Sequence, residues 1–310
     1  MTYYIIENIV KYAKIARKGG TMYLEHNIKN PLSLITPEQI VEIFQNIRRY
    51  QDLIHMIPNT VSASLCADGL AAIGARPLMA VAAEEMEEIA EQANACVINL
   101  GQLNQDKILA AKLAIKHNKK LNKPLVIDPV GCGASSFRLQ ALQELLSTPW
   151  QGILKGNYSE IYSIQYGQLT KEGVDSLKNR QILKSAQLSH NIYLDILQGT
   201  YFITGETDCI LWEDKKLEIS HKKMRNINLV GSGCLTGAIT GACYSAVSRE
   251  KNYSLPKQVV AAIATSVGMA FALEYIEGKK GYGTAKIALL DTLGKLSEEV
   301  FLEWLKERVK

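Results

Sequence analysis

Apolar positions along the chain follow two spacings, one typical of helices and one of buried strands. Between residues 40 and 47 they recur at every third or fourth position, which predicts an amphipathic helix. Thr36 is a favourable N-cap for this helix, because Pro37 and Gln39 follow at the first-turn and capping-box positions. The pattern therefore places the first clearly periodic element just after residue 36.

Short apolar runs alternate with helical segments from about residue 60 onward. The pattern predicts strands at residues 96–101, 124–128, 152–157 and 201–205, a hairpin of 209–212 with 217–219, and helices at 62–73, 84–94 and 105–120 and from about residues 235, 256 and 284. Apolar strands that alternate with helices build a mainly parallel sheet with helices on both faces. We therefore predict an α/β fold.

The first 35 residues do not share this periodicity. They are rich in tyrosine, and four basic residues between positions 11 and 18 follow an apolar stretch that Glu7 interrupts. A signal peptide has the opposite order, with its positive charge first. We predict an N-terminal extension over residues 1–35 that contains a short amphipathic helix ending at Gly19. A membrane-surface or transit role and a chain start at Met22 are the alternatives.

Composition and charge narrow the class of protein. Hydrophobic residues make up 47% of the chain and charged residues 21%, as in ordinary globular proteins, and the formal net charge of +4 is too small to indicate a nucleic-acid partner. The six cysteines are scattered without a C-x-x-C pair, which favours a reducing compartment and hence the cytoplasm. The uncharged runs 229–247 and 259–273 are dense in small residues, so we predict core helices there and no membrane partner.

The strongest candidate site is a glycine turn that opens a predicted helix. Gly231, Ser232 and Gly233 precede Cys234, and the free N–H groups and positive dipole end of such a helix can hold a phosphate. A thiol at this position is expected to have a lowered pKa and to take a proton from a substrate hydroxyl. Close helix packing around an inert, buried Cys234 is the alternative that the pattern leaves open.

Three further strand ends carry polar side chains. Asp128 precedes a glycine-rich loop, where it would either bind Mg²⁺ or cap the next turn. Lys155 suits a nucleotide phosphate, and Glu160 in the following helix would either support a metal or match the helix dipole. Thr204 precedes a turn that also fits a plain hairpin. Because ligands bind beyond the carboxyl ends of parallel strands, we expect these residues to share one site.

Three common site motifs are absent from the sequence. It has no Gly-x-x-x-x-Gly-Lys-Ser/Thr phosphate loop, no Gly-x-Gly-x-x-Gly in an early β-α-β unit and no metal-ligand spacing among its five histidines. The strand-end residues spread over most of the chain. A site built from them needs one domain, which we place at residues 36–310.

The order of these motifs resembles that of the hydroxyethylthiazole kinases, a family of the ribokinase-like superfamily. The likeness runs from about residue 53 to residue 300 and is carried by segments 55–61 (HMIPNTV), 74–80 (GARPLMA), 99–101 (NLG), 128–134 (DPVGCGA), 156–161 (GNYSEI), 204–208 (TGETD) and 231–234 (GSGC). The resemblance implies a ribokinase-like fold. It also implies ATP-dependent phosphorylation of the primary hydroxyl of 4-methyl-5-(2-hydroxyethyl)thiazole, a step of thiamine biosynthesis and salvage.

The resemblance also implies roles for single residues. These are substrate binding by Met79, Asn59 and Gly231, ATP binding by Lys155 and Thr204, Mg²⁺ positioning by Asp128 and Glu160, and catalysis by Gly231, Ser232, Gly233 and Cys234. Cys234 would stand where most ribokinase-like enzymes carry an aspartate base. The implied partners are the thiazole alcohol and ATP, and the implied assembly is a homotrimer with sites between subunits.

Three residues depart from the usual pattern of that family. Pro58 replaces a threonine, Asp68 an asparagine and Lys155 an arginine, whose bidentate fork is lost while the charge is kept. Two alternatives stay open. The first is a kinase of another heterocyclic alcohol such as pyridoxal or a pyrimidine. The second is a non-catalytic thiazole- or nucleotide-binding regulator, which these three departures support. Cys234 argues against the first, because such kinases usually have an aspartate there.

Overall fold

The computed structural model describes residues 26–28, 34–147, 151–170, 199–213, 215–221, 229–250, 253–277, 279 and 281–308. Its strands are β1 (His26–Ile28), β2 (Leu53–Ile57), β3 (Arg76–Leu78), β4 (Ala95–Asn99), β5 (Leu125–Asp128), β6 (Ile153–Asn157), β7 (Thr200–Thr204), β8 (Thr207–Trp212) and β9 (Lys215–Ser220). Its helices are α1 (Pro37–Tyr50), α2 (Ala63–Ala72), α3 (Met86–Gln92), α4 (Gln105–Lys120), α5 (Ser136–Leu145), α6 (Tyr158–Tyr166), α7 (Ser232–Arg249), α8 (Lys257–Tyr275), α9 (Tyr282–Leu293) and α10 (Glu299–Glu307). The amphipathic helix predicted before Gly19 lies outside the described residues.

One sheet runs through the described part of the chain, with its strands in the order β1-β9-β8-β7-β6-β5-β4-β2-β3. All neighbouring strands are parallel except that β8 is antiparallel to both β7 and β9. Strands β8 and β9 form the predicted hairpin, in which Cys209 pairs with Glu218. The mainly parallel sheet predicted from the apolar runs is therefore confirmed, and the carboxyl ends of β4 to β7 lie along one edge.

Helices cover both faces of this sheet, because successive strand residues point to opposite sides. In β4, Val97 belongs to a core that α1, α2 and α7 to α10 help to fill. Its neighbours Cys96 and Ile98 belong to a second core, which α3 to α6 help to fill. Since both faces are buried, the strands need apolar residues at successive positions, and the sequence shows them as continuous apolar runs.

The two long uncharged runs are helices of the first core, as predicted. Helix α8 is long and apolar enough to cross a membrane by length and composition, but 78% of its apolar window is buried inside the fold. Helix α7 packs closely on β4, because a Cβ atom at Gly241 would lie 2.3 Å from Cγ2 of Val97. The small residues of α7 thus serve close packing against the sheet.

Five of the described strands and α-helices lie where none was predicted, namely β1, β2, β3, α5 and α10. Strands β1 and β3 have three residues each, too few to show a period, and Pro77 is tolerated in β3 because that strand lies at the edge of the sheet. In β2 the apolar run is broken by His55, whose buried ring bonds to the carbonyl of Ala80. Strand β1 lies within the predicted extension and pairs with β9. The domain boundary at residue 35 stays a prediction.

Candidate active site

The carboxyl edge of the sheet gathers polar side chains from neighbouring strands. Asn99 is the last residue of β4, Asp128 of β5 and Thr204 of β7, while Lys155 lies near the end of β6. The strand register places Asn99 beside Asp128. Because parallel strands end at the same edge, residues far apart in the sequence meet here, as the strand-end pattern predicts.

Asp128 is the most deeply buried carboxylate at this edge, with 1% of its surface exposed. Its Oδ2 atom accepts a hydrogen bond of 3.0 Å from Nδ2 of Asn99. Its Oδ1 atom lies 3.6 Å from Nζ of Lys155 and accepts no hydrogen bond. Burial raises the pKa of Asp128. The carboxylate therefore faces the site instead of capping the turn that follows it.

Lys155 connects the carboxylate to the glycine turn. Its ammonium donates a hydrogen bond of 2.9 Å to the carbonyl oxygen of Gly233, and only 3% of the residue is exposed. Burial lowers the pKa of Lys155, but the nearby charges of Asp128 and Glu160 outweigh burial, so that the net pKa is raised. The site thus holds a charged ammonium beside the first turn of α7.

Glu160 closes the first turn of α6. Its Oε2 atom accepts a hydrogen bond of 2.8 Å from the N–H group of Asn157, and the Asn157 side chain bonds back to the Glu160 N–H group. Its Oε1 atom accepts a further bond of 2.9 Å from the N–H group of Gly131. Burial and the charge of Asp128 raise the pKa of Glu160 to about 7. The residue is thus a helix cap and a buried carboxylate at once.

A left-handed glycine begins the turn that opens α7. Gly231 has a φ angle of 88°, and a Cβ atom there would lie 2.9 Å from Cβ of Ser62, so the turn requires glycine. Ser232 and Gly233 form the start of the helix. The N–H group of Ser232 donates to the carbonyl of Leu229, whereas the next N–H groups of the first turn lack helical partners. These groups and the Lys155 ammonium make the turn a positively polarised pocket that suits a phosphate.

Cys234 lies in the first turn of α7 and is buried, with 8% of its surface exposed. Its Sγ atom accepts a hydrogen bond of 3.3 Å from Nδ2 of Asn59. The same amide nitrogen donates a bond of 2.9 Å to Oδ1 of Asn99, while Oδ1 of Asn59 accepts from the N–H group of Ser62. The thiol is therefore tied by hydrogen bonds to the segment that follows β2.

Met79 and Thr204 lie at the two flanks of this cluster. Met79 directly follows β3, is half-buried and packs on the apolar core to which Cys234 belongs. The hydroxyl of Thr204 donates a bond of 3.5 Å to the carbonyl of Gly156. After Thr204 the chain makes the tight hairpin turn from β7 to β8, in which the N–H group of Gly205 donates to Asp208. The hairpin interpretation of this segment is thus correct.

Two residues of the site were not assigned a role from the sequence. Asn99 bridges Asn59 and Asp128, and the Lys107 ammonium donates bonds of 2.6 Å to the carbonyls of Pro58 and Gly101. Burial lowers the pKa of Lys107 to about 8. In the sequence, only the position of Asn99 at the end of an apolar run could have indicated a role in the site. The hydrogen-bond partners of Asn99 and Lys107 come from other parts of the chain, so the sequence does not show them.

The donor set at this edge fits Mg²⁺. The free Oδ1 atom of Asp128 is buried without a hydrogen-bond donor, and Glu160 supplies a second carboxylate. Among the described residues, no group of three or more histidine, cysteine, aspartate and glutamate side chains could hold a metal ion. One or two carboxylates completed by water and phosphate oxygens are the usual ligands of Mg²⁺.

A buried carboxylate and ammonium beneath a glycine turn can bind a phosphoryl group and its cation. Together with a mainly parallel sheet covered on both faces, they match what the resemblance to a small-molecule kinase of the ribokinase-like class predicts. The hydroxyethylthiazole kinase family model matches residues 44–299. The chain therefore belongs to the hydroxyethylthiazole kinase family, which confirms the family and the fold class predicted from the sequence.

Individual relatives agree with this assignment. The chain is 32% identical to hydroxyethylthiazole kinase 1 of Methanosphaera stadtmanae over 89% of this chain and 99% of the relative. It is 33% identical to hydroxyethylthiazole kinase of Clostridium beijerinckii over 84% of this chain and 94% of the relative. The solved structure of hydroxyethylthiazole kinase from Pyrococcus horikoshii superposes with a TM-score of 0.70 at 28% identity, over 85% of this chain and 95% of that one. An ADP complex of Bacillus subtilis pyridoxal kinase shares the fold, with a TM-score of 0.52 at 13% identity, over 72% of this chain and 91% of that one.

Proposed function

We propose that this chain transfers the γ-phosphoryl group of ATP to the primary hydroxyl of 4-methyl-5-(2-hydroxyethyl)thiazole. The observation that carries this proposal is the junction of Asp128, Lys155 and the Gly233 carbonyl at the first turn of α7. In this proposal a cation site and a phosphate site would lie side by side, next to the Cys234 thiol. Family membership supports the thiazole alcohol as acceptor.

The transferred group would lie over the turn of residues 231–234. Phosphoryl transfer proceeds through a loose transition state, so positioning and neutralisation of charge matter more than activation of the nucleophile. The N–H groups of this turn and the Lys155 ammonium would stabilise the charge on the phosphoryl oxygens. Thr204, which is bonded to β6 beside Lys155, would contact the nucleotide from the neighbouring strand.

Cys234 would act as the base that takes the proton from the substrate hydroxyl. The bond from Nδ2 of Asn59 fixes the Sγ atom in place. Cys234 would act as its thiolate, which takes up the hydroxyl proton to become a thiol as the new oxygen–phosphorus bond forms and ADP leaves. Met79, Asn59 and Gly231 would line the thiazole pocket. Met79 offers a half-buried apolar side chain for the ring.

Asp128 would hold Mg²⁺ through Oδ1, which accepts no hydrogen bond and lies beside the Lys155 ammonium, and Glu160 would support the ion indirectly. Glu160 suits this indirect role because both of its oxygens already accept backbone hydrogen bonds. When bound, Mg²⁺ supplies charge neutralisation on the phosphate oxygens of ATP. The wider context that we propose is a cytoplasmic homotrimer in thiamine biosynthesis or salvage.

A coupled assay of ADP release with purified protein, ATP, Mg²⁺ and the thiazole alcohol tests this function. We expect turnover with the thiazole alcohol and a much lower kcat/KM with pyridoxal or a hydroxymethylpyrimidine. The Asp128→Asn variant, purified in parallel, controls for contaminating kinases and should be inactive. A clear preference for pyridoxal would overturn the substrate assignment, and calorimetric binding without turnover would overturn the catalytic one.

A further inference from the structure

We propose, on the basis of the proposed function, that Asn99 is a positioning residue that fixes the Cys234 thiol relative to the Asp128 carboxylate. Asn99 is completely buried and stands at the end of β4. Its side chain lies between the half of the site that would receive the hydroxyl and the half that would receive the cation. It would touch neither substrate nor metal and would act through Asn59 and Asp128.

Asn99 uses both ends of its amide. Its Oδ1 atom accepts bonds from Nδ2 of Asn59 at 2.9 Å and from the N–H group of Gly101 at 3.0 Å. Its Nδ2 atom donates a bond of 3.0 Å to Oδ2 of Asp128. These partners settle the orientation of the amide, because a backbone N–H group can only donate and a carboxylate can only accept.

The amide of Asn59 is oriented in the same way. Its oxygen accepts from the N–H group of Ser62, so its nitrogen faces the site and donates to both Asn99 and Cys234. The two amides therefore form a chain from the thiol to the Asp128 carboxylate. Lys155 closes this chain into a ring, since it lies beside Asp128 and donates to the carbonyl of Gly233, which precedes Cys234 in the sequence.

No other side chain of this size reproduces the pattern of one acceptor and one donor at these positions. A change of Asn99 to aspartate keeps the acceptor but sets two carboxylates against each other. A change to serine shortens the side chain and breaks the chain of amides. In the serine variant Asn59 loses its acceptor, and in the aspartate variant Asp128 loses its donor and meets a second carboxylate. In either case the thiol and the Asp128 carboxylate would be free to shift relative to each other.

The expected signature is a loss of kcat with little change in KM. A displacement of about 1 Å in a site of this kind can reduce the rate by about 10²-fold. We expect such a loss for Asn99→Asp and Asn99→Ser. In Asn99→Ser we also expect a higher Mg²⁺ concentration for half-maximal rate, because Asp128 loses a hydrogen-bond donor and no charge is added. A residue that only stabilises the fold would leave the Mg²⁺ requirement unchanged.

The matched control is Asn118→Ala. Asn118 is also completely buried, but its amide bonds within α4 to the carbonyl of Ala114. This variant should lose stability and keep kcat and the Mg²⁺ requirement. Unchanged kcat and Mg²⁺ requirement in folded Asn99→Asp or Asn99→Ser, or changes no larger than in the control, would overturn the role of Asn99.

A second measurement does not depend on the substrate. Alkylation of Cys234 by iodoacetamide, followed by mass spectrometry, should be faster in Asn99→Ser than in the unchanged protein, because Asn59 no longer holds the thiol. Cys243, which lies deeper in α7 and is completely buried, is the internal reference. An unchanged alkylation rate would count against the positioning role even if the thiazole alcohol proved not to be the substrate. If one variant fails to fold, the other decides.

Discussion

The Nζ atom of Lys155 lies 3.6 Å from Oδ1 of Asp128, and both side chains are almost completely buried. These charges come from neighbouring strands, β6 and β5, and meet at the edge of the sheet where the phosphoryl group is proposed to bind. Removal of one member of such a pair leaves the other as an uncompensated buried charge, whereas removal of both does not.

The first prediction follows from this pair. Lys155→Met should lower the free energy of unfolding by about 3–5 kcal/mol, because Asp128 is left unpaired. Combining it with Asp128→Asn should recover part of that loss. Lys155→Arg keeps the positive charge, so it should lower the free energy of unfolding much less. Urea denaturation of the single and double variants gives the coupling free energy. Additive effects would show that the two groups do not interact.

A second prediction concerns the thiol. If Cys234 takes the substrate proton, Cys234→Ala should reduce kcat by about 10²–10⁴-fold with ATP and the thiazole alcohol. The matched control is Cys243→Ala, because Cys243 is a buried cysteine on the same helix, away from the glycine turn. It should keep kcat. Full activity of Cys234→Ala would refute the base role.

A third prediction concerns pH. Burial and Asp128 raise the pKa of Glu160 to about 7 from an ordinary value of 4.5. Between these pH values the folded protein binds more protons than the unfolded chain, so this group makes the metal-free protein less stable as the pH rises from 4.5 to 7. Urea titrations in a chelator should show a shallower decline for Glu160→Gln.

Mg²⁺ reverses the sign of that effect, because the carboxylate must be deprotonated to act on the cation. The Mg²⁺ concentration for half-maximal rate should therefore fall as the pH rises through about 7. In the urea titrations, the change in unfolding free energy with pH is compared between Glu160→Gln and the unchanged protein. The absolute free energies are not compared, since glutamine can accept only one of the two backbone hydrogen bonds that Glu160 accepts. Equal slopes in both proteins would contradict the assignment.

A fourth prediction concerns the glycine turn. Gly231→Ala should destabilise the protein by about 1–2 kcal/mol, since its φ of 88° is unfavourable for residues with a side chain, and the added Cβ would also press on Ser62. It should also lower kcat/KM, because the phosphate turn shifts. Gly283→Ala is the control, since its Cβ would meet open space within α9. That change should keep kcat/KM.

A fifth prediction concerns His221 at the end of β9. Burial alone lowers the pKa of His221, but the hydrogen bond and charge of Asp208, 2.9 Å away, raise its net value above 6.5. The stabilisation is then fully present below pH 6.5 and is lost as the pH rises through the folded-state pKa. The stability advantage over His221→Gln should shrink over that interval in thermal melts. A constant difference would exclude the linkage.

Much of the fold could be predicted, because buried strands have a local signature. Apolar runs that end in Asp128 and Thr204 alternate with helical segments, and this alternation implies a parallel sheet with a common carboxyl edge. Strands such as β3 escaped prediction because three residues show no period. His55 interrupts the apolar run of β2, and its burial depends on a hydrogen bond to the carbonyl oxygen of Ala80, which lies in another segment.

The contacts within the site could not be predicted from spacing. Asn99 and Asp128 lie 29 positions apart, and Lys155 and Gly233 lie 78 apart, so their hydrogen bonds exist only once the sheet has formed. Single residues at strand ends indicated where chemistry would occur. They did not indicate which amide would join which carboxylate, because this depends on strand register and on the depth at which α7 packs.

The burial of helix α7 determines how the proposed site unfolds. Its first turn is the proposed phosphate site, and residues 234–247, which begin within that turn, are all buried. Segments of this kind usually open only with the whole molecule, so the protection of their amide hydrogens from exchange reflects the free energy of global unfolding. The pocket and the core then form one cooperative unit. Denaturant should abolish turnover and protection of these amides over the same range of concentration.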